Sequence, residues 1–318
     1  MVRSILEDGL LIISQCKSIT GDIWGAHFGA AAIAGYFFVK ENSMPVDTVN
    51  RIKAQSEAML DKHSYIGTAQ PVVGMDSGDA EKMILESLEL VIDELHWVGH
   101  NVIYAALSLL AIQELGGWGT KDEIQGISTL IRSFEKSIPG RSWLGYSISD
   151  VRKLEIDEND HFPAIVNAGQ LSELILSELS SFRTIYRAEA HHDLIGHMLT
   201  FSHALNVLFD LGHVSYFKRG LLPLFKLVKV LRASHNLEPE NPIKLSSPVD
   251  HQPLIRAKRS EWLPIEHVYW CMDYANHDWD FGHVFKFPFS FYNHLNRVPS
   301  RMTHATENFR YIVYNQSG

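Results

Sequence analysis

Apolar positions along this chain recur at three- and four-residue steps, and alternating runs bounded by hairpin dipeptides are missing. The pattern predicts helices. The first covers about Arg3–Lys17, and Thr20-Gly21-Asp22 supplies a turn and an N-cap for the second, about Asp22–Lys40. Within the second, Gly25, Gly29, Ala32 and Gly35 set small residues at helical spacing. Each glycine costs a helix roughly 1 kcal/mol against alanine, so this helix is expected at the centre of the fold, where another backbone approaches. Ser43 and Pro45 open a third helix to about His63, and Ser64–Ser77 is a loop marked by Gly67, Pro71 and Gly74. Asp79–Leu115 reads as two helices broken or bent near His96–Gly99. The second of these, HNVIYAALSLLAIQEL, is apolar almost all round and should be buried. Gly116-Gly117-Trp118-Gly119 stops it, Thr120-Lys121-Asp122-Glu123 is a capping box for the next helix, and Pro139-Gly140 ends that one.

Leu154–Pro163 is an acidic, polar loop and the best candidate for an internal boundary. Gln170–Arg187 and Ala188–Leu211 follow as long helical stretches, then Val214–Ala233 with a kink at Pro223. Ser234–Arg259 holds four prolines and no periodicity, and at this length reads as a functional flap or a long surface crossover. Glu261–Ala275 and Asp280–Leu295, the latter with Pro288, read as aromatic-rich helices, and Thr303–Tyr314 closes the chain. The fold class expected is all-α, a single large domain of helical hairpins arranged as a bundle or an α/α toroid.

The densest chemistry lies in Arg187–His213, which carries Glu189, His191, His192, Asp193, His197, His203, Asp210 and His213 among apolar residues. On a continuous helix Glu189, Asp193 and His197 fall at i, i+4, i+8 on one face, a ladder suited to a metal or a proton relay. The alternative is a set of hydrogen-bonded core and boundary histidines. His96 and His100 form another i, i+4 imidazole pair, without the glutamate of a zinc-protease helix. His192-Asp193 is the dipeptide of metal-dependent phosphohydrolases, but it recurs at His277-Asp278, as composition alone would produce. A Walker loop, a GxGxxG after a strand and a Gly-x-Ser-x-Gly elbow are all missing from the sequence.

Composition narrows the reading. The 318 residues are 46% hydrophobic and 20% charged, the balance of a soluble globular protein with a large core. A net charge of −9 without a basic stripe disfavours nucleic acid. Cys16 and Cys271 are read as free thiols. The opening MVRSILEDGLLIISQCK does not read as a signal peptide, and Ile23–Val39, interrupted by His27, is too short and Gly/Ala-rich for a membrane span. A cytoplasmic protein without stable membrane insertion is expected. Seventeen histidines and 11% aromatic residues suit a lined pocket.

Four local patterns, Trp24-Gly25-Ala26-His27, Gly99-His100-Asn101-Val102-Ile103-Tyr104-Ala105, His197-Met198-Leu199-Thr200 leading to His203-Ala204-Leu205, and His283-Val284-Phe285-Lys286, resemble in order and helical setting the questin oxidase-like family. The second departs from the family pattern, with Asn101 and Ile103 where a Gly and a later Arg are expected. The resemblance implies a monooxygenase-type oxidoreductase acting on a hydrophobic aromatic or polycyclic small molecule, with NADPH as reductant. It assigns His100, His197, His203 and His283 to catalysis, and His27, Tyr104, Thr200 and Lys286 to substrate binding. In that assignment Lys286 steadies a developing oxyanion; an ordinary snorkelling lysine is the alternative. Each of these groups lies on a strongly apolar helix, where an imidazole must find a partner, so His27, His100, His197 and His283 are expected to share a pocket. The competing expectation is a metal-dependent helical enzyme, a di-iron oxidase or zinc hydrolase, with iron or zinc on Glu189, Asp193 and His197 along with His96 and His100. A third is a non-catalytic small-molecule binding module.

Overall fold

The computed structural model describes residues 3–65, 74–238, 243–299 and 302–313. The chain is all-α: among the described residues it forms twelve α-helices and one pair of two-residue strands. It divides into two compact units built from interleaved segments, 1–91, 101–135 and 262–292 in the first and 92–100, 136–261 and 293–318 in the second. The acidic stretch Leu154–Pro163 falls inside the second.

In the first unit the small-residue face does what its spacing implies. Helices α1 (Ser4–Thr20) and α2 (Ala26–Glu41) pack so closely that a Cβ on Gly29 would stand 2.3 Å from the Gly9 carbonyl oxygen. Helix α1 packs equally tightly on α6 (Lys121–Arg132), where a Cβ on Gly126 would lie 2.3 Å from the Ser14 carbonyl oxygen. Helix α3 (Val46–His63) lies against α2, and α4 (Ser77–Leu88) against α6. The Thr120–Glu123 capping box forms in full, and Pro45 stands at the N-cap of α3. Helix α6 stops at Arg132, well short of Pro139, because the Ser133 hydroxyl takes the Leu130 carbonyl at 2.6 Å. Helix α5 (His100–Leu115) is apolar all round and buried. Counted from Trp97, it is long and apolar enough to cross a membrane, yet 83% of its most apolar window is buried within the protein. The Ser64–Ser77 loop lies largely outside the described residues.

The aromatic stretch Glu261–Ala275 is not the helix its composition suggests. It makes a 3-10 turn at His267–Cys271 only, since side chains claim its backbone: Glu266 accepts from Leu263 N–H and the Trp270 indole donates to the Pro264 carbonyl, both at 2.6 Å. Asp278, Trp279, Asp280 and Phe281 then run left-handed with φ of 47–56°, ending at Gly282 with φ 78°. Such a turn costs L residues about 1–2 kcal/mol each, so its surroundings must enforce it. The Asp278 carboxylate accepts from Lys62 at 2.8 Å and His63 at 2.7 Å, and the Trp279 indole donates to Gln55 at 2.7 Å. Helix α11 (His283–Asn296) follows, with Phe285 stacked on Trp270 at 5.4 Å.

In the second unit α9 (Leu194–Asp210) packs between α8 (Ala168–Ser180) and α10 (Val214–Arg232), which carries Pro223; α12 (Thr303–Phe309) leans on α8. The short α7 (Ile148–Lys153) follows strand β1 (Trp143–Leu144), which pairs antiparallel with β2 (Leu245–Ser246). The helices expected over Gln170–Arg187 and Ala188–Leu211 are corrected here. Helix α8 ends at Ser180, Tyr186 forms a β-bridge with Arg256, and Glu189–Asp193 is a π-helix, so α9 begins only at Leu194. The proline-rich stretch is thus a strap. Its residues 243–257 pair with β1 and with the chain ahead of the π-helix.

Candidate functional site

Each unit carries its own cluster of buried imidazoles. In the first, small α2 lets other elements press on it, and His27 becomes the hub. A Cβ on Gly282 would lie 2.7 Å from Ala31 and 3.1 Å from the His27 carbonyl oxygen, so the left-handed turn rests directly on this helix. That contact sets the Phe281 ring 4.4 Å from the His27 ring and the His283 ring 5.6 Å from it. Lys286, one turn on and 4% exposed, sets its Nζ within hydrogen-bond distance of His27 Nδ1. The Tyr104 ring meets His27 edge-on at 6.0 Å, while its hydroxyl donates to the Ile23 carbonyl at 3.2 Å. Burial raises that phenol well above its ordinary pKa, so it stays protonated. Trp24 stands 6.0 Å from His27 and 6.5 Å from Phe281, and Phe281 remains partly exposed at 36%. The sequence motifs located His27, Tyr104, His283 and Lys286; they gave no sign of the strained turn that carries Phe281.

In the second unit another left-handed turn, Trp97-Val98-Gly99, precedes His100. Trp97 and Val98 donate their N–H groups to the carbonyls of Ile138 and Pro139 at 2.8 and 2.7 Å, and a Cβ on Gly99 would collide with the Phe201 ring at 2.3 Å. His96 and His100 therefore do not share a helical face. His96 lies before the turn, bonded to Ser137 at 3.0 Å, with burial pushing its pKa down. His100 starts α5 and points its Nε2 at His197 Nε2, 3.3 Å away. The other ring nitrogens fix the tautomers. His100 Nδ1 donates to the Trp97 carbonyl, and His197 Nδ1 to the Asp193 carbonyl at 2.8 Å. A carbonyl only accepts, so each ring carries a proton on Nδ1, and the two Nε2 atoms face each other within hydrogen-bond distance.

The Glu189–Asp193–His197 ladder requires an α-helix throughout, and the π-helix breaks its register. Asp193 stays beside His197, its Oδ2 3.6 Å from Nδ1. Glu189 is instead clamped by Arg141, at 2.6 and 2.7 Å, and by the Ser142 hydroxyl at 2.9 Å. The Thr200 hydroxyl donates back to the His197 carbonyl at 3.3 Å. His203 lies against His294 with ring centres 6.2 Å apart, and burial pushes its pKa well below the ordinary value.

His294 had no motif to announce it. It is fully buried, accepts at Nδ1 from the Ser172 hydroxyl at 2.9 Å, and donates from Nε2 to the Leu199 carbonyl at 3.1 Å. Burial lowers its pKa to about 3. His191 is buried likewise. Its Nδ1 accepts the Tyr186 N–H at 2.9 Å, and burial lowers its pKa to about 3. Both are neutral structural groups rather than acids or bases for chemistry near pH 7.

Cys16 and Cys271 are both free thiols. No protein-family model matches the chain, and neither does any curated protein or solved structure.

Proposed function

We propose that the chain is a monooxygenase-type oxidoreductase acting on a hydrophobic aromatic or polycyclic small molecule, with His100 and His197 as ligands to a first-row transition metal. One observation carries the metal: two Nε2 atoms face each other at 3.3 Å with both Nδ1 atoms already donating to carbonyls. Lone pairs so placed repel unless a cation or a shared proton stands between them. The separation allows a long N–H···N bond through one shared proton, and it also fits a metal. With metal–imidazole bonds of about 2.0–2.1 Å, 3.3 Å subtends roughly 104–111° at the ion, close to tetrahedral. Imidazole ligands commonly donate their second N–H to a carbonyl, as both do here.

A metal held there would supply Lewis-acid or redox chemistry that imidazole lacks. The protein's own groups do the rest. In the first unit, taken by itself, Lys286, buried against His27, offers a donor to a ketone oxygen, and Trp24 and Phe281 offer flat faces to an aromatic ligand. The resemblance to questin oxidase-like proteins supports the substrate class and the monooxygenase type. Monooxygenation puts one oxygen atom of O2 into the product and the other into water, so two electrons must come from a reductant such as NADPH.

The test is oxygen uptake with aromatic ketones, with and without reduced nicotinamide, by wild type and His197→Ala. Uptake that needs the ketone and is lost in the variant is expected. A second reading, a zinc hydrolase, draws on the same near-tetrahedral angle. It takes precedence if wild type consumes no oxygen under any condition yet carries stoichiometric zinc.

A further inference from the structure

We infer that Asp250, on the proline-rich strap, is a positioning residue for the His100–His197 pair. Its carboxylate spans the start of the π-helix: Oδ1 accepts the Glu189 N–H at 2.9 Å and Oδ2 the Ala190 N–H at 2.8 Å. Those are orphan donors at a helix start, and a charged acceptor taking two of them fixes where the helix begins. Asp250 is held in turn, since the Ser247 hydroxyl oxygen accepts from Asp250 N–H at 2.9 Å and Val249 N–H at 3.2 Å. Ser142 ties the same point to the clamp on Glu189, bonding Ser247 at 3.0 Å and Glu189 at 2.9 Å.

The consequence is a matter of register. A π-helix inserts one residue into a turn, is rare, and gathers at functional sites. Here Asp193 N–H reaches back five residues to the Ala188 carbonyl, and Asp193 is the last residue of the π-helix. Its carbonyl holds His197 Nδ1. If Glu189 and Ala190 were released and the segment relaxed to α-helical spacing, the carbonyl facing Nδ1 would turn by a fraction of a turn. The His197 ring would lose the contact that fixes its tautomer and aims Nε2 at His100. The strap therefore acts on the pair through main chain. This inference rests on the metal reading proposed above and adds the residue that tunes the affinity.

The test uses the untagged full-length chain and cobalt(II) alone as probe, read by its visible absorption, with far-ultraviolet circular dichroism recorded on each sample. Wild type should bind cobalt with the intense visible bands of a low-coordinate site. Asp250→Ala should weaken binding by about 10–100-fold, the range seen when partners of metal-bound histidines are removed. Asp250→Asn, which keeps one acceptor oxygen, should lie between the two. Lys244→Gln breaks the exposed Lys244–Asp150 pair at the strap's other end and should leave binding unchanged. Should Asp250→Ala fail to fold, Ser247→Ala serves in its place and should weaken binding several-fold. Wild-type affinity in a folded Asp250→Ala, or in Asp250→Asn and Ser247→Ala together, would overturn the inference while leaving the metal reading intact. No cobalt binding by wild type would overturn both.

Discussion

Replacing Gly29 by alanine gives a sharp test of how α1 and α2 are packed. Taken alone, alanine in a helix interior stabilises by roughly 1 kcal/mol over glycine. The structure opposes that gain. The new methyl would stand 2.3 Å from the Gly9 carbonyl oxygen, 2.9 Å from an Ile13 side-chain carbon and 3.2 Å from the Ile12 Cβ. The nearest obstacle is backbone, so no rotamer change relieves it. The helices must part by about 1 Å along their crossing, and side chains on both sides of the seam then lose dispersion contact. Overpacking of a tight core costs typically 1–3 kcal/mol, and a backbone obstacle puts this case at or above the upper end. The net expected after the helix gain is a loss of about 2 kcal/mol. At about 2–4 °C per kcal/mol for a chain of this size, the thermal midpoint should fall by roughly 4–8 °C. Circular dichroism melts at 222 nm read it. A midpoint that rises by a few degrees, the propensity gain alone, would contradict the backbone contact between α1 and α2.

Acid should weaken the fold through His191 and His294, whose folded pKa of about 3 lies below the ordinary value near 6.5. The unfolded chain binds the extra protons, so stability is complete above about pH 6.5 and falls toward pH 3, by up to about 1.4 kcal/mol per pH unit for each histidine. Urea titrations at pH 7.5, 6 and 5 check this; a flat free energy across them would argue against neutral, buried rings. Gly99→Ala combines a φ of 97° with a Cβ 2.3 Å from the Phe201 ring, and should cost about 2–4 kcal/mol while displacing His100. Its thermal midpoint and cobalt affinity should fall together, and a midpoint unchanged within 1–2 °C would contradict the placement of that turn. Phe281→Leu should weaken binding of a flat anthraquinone probe about 3–10-fold, as loss of one aromatic contact would. Phe281→Trp should restore binding, and equal affinity in all three proteins would remove Phe281 from the ligand's surroundings.

Signals confined to one turn of chain were legible in the sequence. The Thr120–Glu123 capping box is set within four residues, and local glycine and alanine spacing marked the small-residue face around Gly29 and the break at His96–Gly99; each forms. What the sequence hid depends on distant partners. The π-helix at Glu189 owes its register to Asp250, 61 residues away, so the carboxylate–imidazole ladder drawn on an ideal helix went wrong at Glu189. The left-handed run Asp278–Phe281 goes against the propensity of Trp279 and Phe281, and is held by Gln55, Lys62 and His63 more than 200 positions earlier. The histidines motivated by local pattern did become buried hubs. What orients them, a carbonyl, a lysine or a strained turn, is tertiary.

The central claim is that His100 and His197 hold a metal between their Nε2 atoms, and elemental analysis of untagged protein tests it most directly. Wild type purified without chelator should carry close to one equivalent of iron, zinc or manganese. His100→Ala and His197→Ala, each deprived of one Nε2, should retain less than about a tenth of that while keeping the helical dichroism of wild type. Wild-type protein with less than about a tenth of an equivalent, or variants that keep the full complement, would contradict it.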